Sequence, residues 1–235
     1  MAGDMNSTKQ NDKDSRDYLA IGVFVAVLCI LAISVFYLIG TSKQRFSDQP
    51  EKTVFKWLDD HVNRAKNFAK QSKNTWLRKR KNKEAKKHLA TGYKLYRRGI
   101  YRKAFHEFDQ AIKIDPNNFK AHFWRGRVHL KREQFDEAIS DFKMVIKLKP
   151  DYVEAYDNLG WIHSRRDEYD ESIRYLTKAI ELRPDNGWAY FMRGHCHFRT
   201  GDLENALKDT ETSCGLGYQK ACAALENYRN KEAGS

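Results

Sequence analysis

The densest group of chemistry-bearing residues in this 235-residue chain is His195-Cys196-His197. Imidazole and thiolate are zinc-type ligands. Adjacent side chains on a helix, however, point about 100° apart, so three consecutive residues cannot converge on one ion. His129, His163 and His197 recur at a 34-residue interval, which assigns them to one repeated packing position. The chain carries no phosphate-cradling glycine loop and no nucleophile motif. Isolated acids read as solvated helix faces. No catalytic residue, metal or cofactor is expected, and the chain is not expected to be an enzyme.

Four cysteines do not make a disulfide scaffold in a chain of this length. Cys29 lies in an apolar run, and Cys196, Cys214 and Cys222 lie near the C-terminus. The net charge of +12 is unevenly distributed. Residues 41–87 carry fifteen Lys and Arg against five Asp and Glu, whereas residues 1–40 are slightly acidic. A basic segment of that kind calls for an anionic surface beside it, with membrane lipid the nearest candidate.

Residues 19–40 read LAIGVFVAVLCILAISVFYLIG, without a charge. At about 1.5 Å per residue, a helix of this length spans the hydrocarbon core of a bilayer. The run is too long for the apolar core of a cleaved signal peptide, and Thr41-Ser42-Lys43-Gln44-Arg45 is a polar stop. One transmembrane helix is therefore expected after a polar tail, residues 1–18. Lys and Arg are nearly balanced close to the two ends of the span. Counting to residue 87 favours a cytoplasmic C-terminal domain, with a periplasmic or lumenal placement as the alternative.

In the basic linker, residues 41–84, apolar residues recur at Val54, Leu58, Val62, Ala65, Ala69 and Trp76, with Phe55, Trp57 and Phe68 nearby. Steps of three and four mark a helix face. Lys52, Lys56, Arg64, Lys66, Lys70 and Lys73 occupy the other faces, followed by Arg78-Lys79-Arg80-Lys81. Such a helix suits an anionic lipid interface. Alternatively its apolar face caps the helical domain that follows, or forms a dimeric coiled coil. Nucleic-acid binding lacks an accompanying recognition motif.

The dominant signal is a fixed spacing. Gly92, Gly126, Gly160 and Gly194 lie 34 residues apart, as do Pro116, Pro150 and Pro184. Ala104, Ala138, Ser172 and Ala206 keep the interval, and so do Tyr101, Phe135, Tyr169 and Leu203. Phe108, Phe142 and Leu176 form a further series. This pattern resembles the tetratricopeptide-repeat (TPR) family over residues 85–220. The resemblance implies an all-α fold: four helix–turn–helix repeats (85–118, 119–152, 153–186 and 187–220) stacked as a right-handed solenoid. Small residues let paired helices approach, aromatics fill the turns, and Pro closes each unit. In the fourth repeat Thr210 and Ser213 replace apolar or small residues, and Gly215-Leu216-Gly217-Tyr218 stands where Pro would be. A capping helix follows in residues 221–235, presenting Tyr218, Ala221, Cys222, Leu225 and Tyr228 on one face.

In that family the first helix of each repeat lines a concave partner-binding surface. Carried over, the first repeat contributes Lys86, Leu89, Tyr93 and Tyr96, and the second Lys120, Phe123, Trp124, Arg127 and Lys131. The third contributes Glu154, Asp157, Asn158, Trp161 and Arg165, and the fourth Trp188, Phe191, Met192, His195 and Arg199. Aromatics beside Arg and Lys have the composition of interface anchors, although some must be inter-repeat packing. Members that grip the EEVD tail of heat-shock chaperones carry a Lys/Asn/Arg clamp. The matching positions here are Leu89, Tyr93, Trp124, Glu154 and Asn158, or, one repeat later, Phe123, Arg127, Asn158, Trp188 and Met192, and across both registers only Asn158 fits. An EEVD-tail binder is not expected.

The stretch from Ser213 to Cys222 also resembles the end of Sel1-like repeats. In cysteine-rich members of that group the corresponding pair is bridged across two helices. The alternative for Cys214 and Cys222 is two buried thiols used as small apolar residues. A bridge would place the domain in an oxidising compartment, against the side favoured by charge. The expected function is a membrane-anchored scaffold or adaptor that holds a protein or peptide partner in the groove. The alternatives are a cargo receptor for a membrane translocation or assembly machine, or a lipid- or nucleic-acid-binding protein acting through residues 51–87.

Overall fold

The computed structural model describes residues 50–233, with side chains for Lys56 and residues 59–229. The expected tail, the apolar run 19–40 with Cys29, and the side chains of Lys52 and Trp57 lie outside the described residues. Among the described residues, no helix is long and apolar enough to cross a membrane. The chain divides into two units, residues 1–79 and 80–235.

The described residues form nine α-helices and no strand. They are α1 (Pro50–Arg97), α2 (Tyr101–Ile114), α3 (Phe119–Lys131), α4 (Phe135–Leu148) and α5 (Val153–Arg165), then α6 (Tyr169–Leu182), α7 (Gly187–Thr200), α8 (Leu203–Gly215) and α9 (Gln219–Ala233). The expected linker helix and the first helix of the first repeat are one 48-residue element. The sequence explains this continuity: residues 51–97 contain no proline, and Gly92 is their sole glycine, so nothing interrupts the hydrogen-bond ladder. Along this helix Lys56, Lys66, Lys70, Lys73, Arg78, Lys79, Arg80 and Lys81 are exposed. Val62, Phe68 and Trp76 are also exposed, Phe68 to 71%.

Within residues 80–235 the helices pack in sequence-neighbour order, and α5 and α7 also touch directly. Ala104, Ala138, Ser172 and Ala206, at one repeat position, are all fully buried. Four residues further on, Phe108, Phe142, Leu176 and Thr210 are fully buried too. These face the repeated glycines. A Cβ on Gly92 would lie 2.6 Å from Phe108 Cε1, one on Gly160 2.6 Å from Leu176 Cγ, and one on Gly194 2.9 Å from Thr210 Oγ1. Hydroxyls in this core are satisfied locally. Thr210 donates to the Ala206 carbonyl at 2.6 Å, Ser172 to that of Gly160 at 2.7 Å, and Ser213 to that of Gly187 at 2.6 Å.

The turn inside each repeat uses one left-handed residue: Gly99, Glu133, Asp167 and Gly201. That conformation swings the next N–H back toward the preceding helix. Ile100, Gln134, Glu168 and Asp202 thus donate to the carbonyls of Leu95, His129, His163 and His197 at 2.9–3.0 Å. Asn118, Asn186 and Asp202 cap α3, α7 and α8 through their side chains. After α8, Gly217 takes the left-handed position, and α9 folds back onto α8 and α7. Ala221 and Tyr228 are buried there, and Tyr228 stacks on Phe198 with centroids 4.1 Å apart.

Leu176 is fully buried and an added Cβ would lie 2.6 Å from its Cγ, so Gly160→Ala is expected to destabilise the repeat domain by about 1–3 kcal/mol. Urea unfolding followed by circular dichroism measures the difference. Unchanged stability would show that the close helix approach is not limiting.

Candidate functional site

The first helices of the four repeats share a hollow of about 400 Å³. Tyr96 of α1 and Phe123, Arg127, Leu130 and Lys131 of α3 form one wall. Glu154, Asp157, Asn158 and Trp161 of α5 and Trp188 of α7 form the other. Of the expected groove residues, Tyr96, Phe123, Arg127, Lys131, Glu154, Asp157, Asn158, Trp161 and Trp188 line this hollow together. Phe123 is 97% buried, since only 3% of it is exposed, and contributes mainly a floor.

The remaining expected positions lie elsewhere. Tyr93 packs edge-on against Trp124 at 4.8 Å, and Trp124 also meets Tyr96 at 5.2 Å and Phe123 at 5.4 Å. Trp124 thereby joins the first and second repeats. Leu89 packs against the core of the first repeat. Lys86 and Lys120 are exposed, the latter with its ammonium 5.9 Å from the Phe119 ring. Phe191 packs on Tyr218 at 5.2 Å, and Met192 against the core of the third and fourth repeats. Arg165 is exposed over Trp161 at 5.9 Å. Arg199 lies over Tyr169 at 5.1 Å and 3.6 Å from Asp167. His195 buries Nδ1 without a hydrogen-bond partner among the described residues. Burial, with Arg199 nearby, lowers its pKa.

Arg127 lies 5.5–6.0 Å from the rings of Tyr96, Phe123 and Trp124. Across from it, Glu154 pairs with Arg183 at 2.7 Å, and Asn158 donates to the Glu154 carbonyl at 2.5 Å. The Asp157 oxygens accept from Asn186 Nδ2 at 3.1 and 3.2 Å. Burial pushes the Asp157 carboxyl up to about 6, outweighing the Asn186 hydrogen bond and the charge of Arg183, while Glu154 adds to the rise. A second hollow of about 530 Å³ lies beside Tyr156, Arg174, Tyr175 and Lys178. There Arg174 pairs with Glu171 and Lys178 with Glu181, so its cations are already neutralised.

Two polar features escaped sequence reasoning. Arg125 grips Asp141 through two nitrogens at 2.9 and 2.8 Å and reaches Asp109 at 3.1 Å. Arg193 repeats this 68 residues later with Asp209, both at 2.7 Å, and with Thr177 at 3.0 Å. That 68-residue recurrence was the available signal. Burial raises the Asp141 pKa, but hydrogen bonds from His122 and Arg125 outweigh it and hold the carboxyl below its ordinary value. The repeated histidines do more than pack. His129, His163 and His197 direct Nδ1 at Gln134, Glu168 and Asp202 at 3.1, 2.5 and 3.1 Å, fastening each helix to its own turn. Among the described residues no cluster of His, Cys, Asp and Glu could hold a metal.

Cys214 and Cys222 are bridged, with Cα atoms 4.8 Å apart. Of the two alternatives for this pair, the structure selects the disulfide, because the turn after α8 brings the start of α9 back beside it. Cys196 is the buried free thiol among the described residues.

Paired helices, a 34-residue rise and a groove along the first helices define a helical-repeat solenoid. Residues 92–132 match a family model described as TPR repeat, and residues 119–152, 153–186 and 175–208 match models described as tetratricopeptide repeat. The chain belongs to the tetratricopeptide-repeat family. Among solved structures it is similar to MamA, at 22% identity and TM-score 0.60, over 64% of this chain and 83% of that one. It is also similar to YrrB, described as a TPR protein with an unusual peptide-binding site, at 21% identity and TM-score 0.57, over 65% and 80%. The first TPR domain of Spaghetti (RPAP3), bound to the HSP90 peptide SRMEEVD, aligns at 21% identity and TM-score 0.50, over 51% and 95%. At these identities the likeness concerns the fold alone. No curated protein sequence matches the chain.

Asp157 binds its proton more tightly in the folded state than in the unfolded chain. Its ionisation therefore weakens folding as pH rises from about 4 to 6, and the full loss persists above that range. Asp157→Asn is expected to stabilise the domain by about 1–3 kcal/mol at pH 7.5 and to flatten this pH dependence. Urea unfolding of both proteins between pH 4 and pH 8 tests it. Equal stability at pH 7.5 would refute a strained buried charge.

Proposed function

We propose that this chain is a membrane-anchored scaffold that holds a protein or peptide partner in the groove formed by α1, α3, α5 and α7. The observation that carries the proposal is the hollow itself, in which tryptophan faces and cationic side chains sit together on an open surface. Large aromatics and Arg are the usual anchors of protein interfaces. The uncharged run 19–40 supports a single membrane span, and the exposed lysines with Phe68 on α1 support contact with anionic lipid. The packing of Leu89, Tyr93 and Trp124 supports a partner other than a chaperone EEVD tail, because aliphatic and aromatic side chains stand at these three clamp positions.

The Cys214–Cys222 bridge supports a periplasmic or lumenal repeat domain, since cytosolic thiols are kept reduced. It carries more weight than the charge bias, which is nearly balanced near the span and relies on distant lysines.

Two measurements test the proposal. Trp161→Ala with Trp188→Ala is expected to lower recovery of a crosslinked partner about tenfold or more. Unchanged recovery with intact helicity would remove the groove from the function. In oriented vesicles, the repeat domain is expected to resist protease added to the cytoplasmic face, and Cys214 and Cys222 to label only after reduction. Cleavage from that face with freely labelled thiols would reverse the compartment.

A further inference from the structure

The charges lining the groove are not equivalent. Both acids on the α5 wall already have partners: Glu154 has Arg183 at 2.7 Å, and Asp157 has the Asn186 amide at 3.1 and 3.2 Å. Arg127 and Lys131 on the α3 wall have no carboxylate within ion-pair distance among the described residues, and neither does Arg165 beside Trp161. Several arginines elsewhere in the same fold are matched. Arg125, Arg166, Arg183 and Arg193 all meet carboxylates at 2.7–3.1 Å. The groove face therefore carries uncompensated positive charge.

The posture of Arg127 suits it for ligand recognition. Its guanidinium lies over three aromatic rings at 5.5–6.0 Å. Such stacking occupies the face of the planar group and restricts its rotamers, while leaving the N–H edge available for a carboxylate. Lys131 follows one turn later on the same helix face. Trp161 and Trp188, on the opposite wall, offer apolar surface.

We propose that the groove selects acidic peptide segments, with carboxylates taken by Arg127 and Lys131 and a neighbouring apolar side chain seated against Trp161 and Trp188. This rests on the scaffold reading above and supplies the chemistry of its partner. The recognising cations both lie on the second repeat.

The test is selection of a displayed library of random 12-residue peptides on the full chain, held in mild detergent through an N-terminal tag. Selected peptides are expected to be enriched in Asp and Glu beside an aromatic or aliphatic residue. Their affinity should fall about tenfold or more in Arg127→Gln and in Lys131→Gln, and should weaken as salt is raised. Lys131 is exposed, so its substitution separates recognition from folding. Enrichment of neutral or basic peptides that is lost in Trp161→Ala would overturn the acidic preference and leave the groove standing. No enrichment, or enrichment indifferent to every groove substitution, would overturn the groove reading as well.

Discussion

The repeats are held together by a close approach between two backbones. Gly92, Gly126, Gly160 and Gly194 each face a fully buried side chain sixteen residues later, and an added Cβ would come within 2.6–3.1 Å of it. A first helix can lie this near its partner only where the residue lacks a Cβ. The spacing then sets how far the second helix can sink, and so where the next repeat begins. Because the constraint recurs every 34 residues, the outer faces of the first helices come into line. The groove follows from that alignment.

Polar side chains refine the stack. Arg125 and Arg193 each tie the second helix of their own repeat to that of the preceding one, through Asp141 and Asp109 or through Asp209 and Thr177. Between them the third repeat replaces the pair with Leu159 and Tyr175, and Leu159 is fully buried in an apolar cluster. The histidine-to-turn bonds act within repeats two to four, and the first repeat has Leu95 at that position. Arg125 and Arg193 are paired with carboxylates. Arg127 on the groove is left to aromatic rings.

Much of this architecture was legible in residue types alone. Glycine, proline and small-residue series at one interval specify paired helices, because each type answers a local steric demand that recurs with the repeat. The cap helix was equally plain from Ala221, Leu225 and Tyr228 on one face. The groove was legible only as a set of positions. Trp124 and Trp161 stand one residue type apart from nothing in their own helices, yet Trp124 is committed to Tyr93 and Tyr96 from the preceding repeat, whereas Trp161 borders the hollow. The Arg125 and Arg193 networks were visible in principle, as charges recurring every second repeat.

The amino-acid sequence by itself determined the helical periodicity, the repeat length, the position of each turn and the concentration of charge in residues 41–87, since these depend on neighbours within a few residues or on an exact recurrence. Tertiary structure alone decided which aromatics pack and which line the groove, which cations lack a carboxylate, that Cys214 and Cys222 come within bonding reach, and that Asp157 is buried enough to resist ionisation. Each of these depends on the distance between residues on different helices. A one-dimensional pattern cannot supply that distance until the backbones have closed on their glycines.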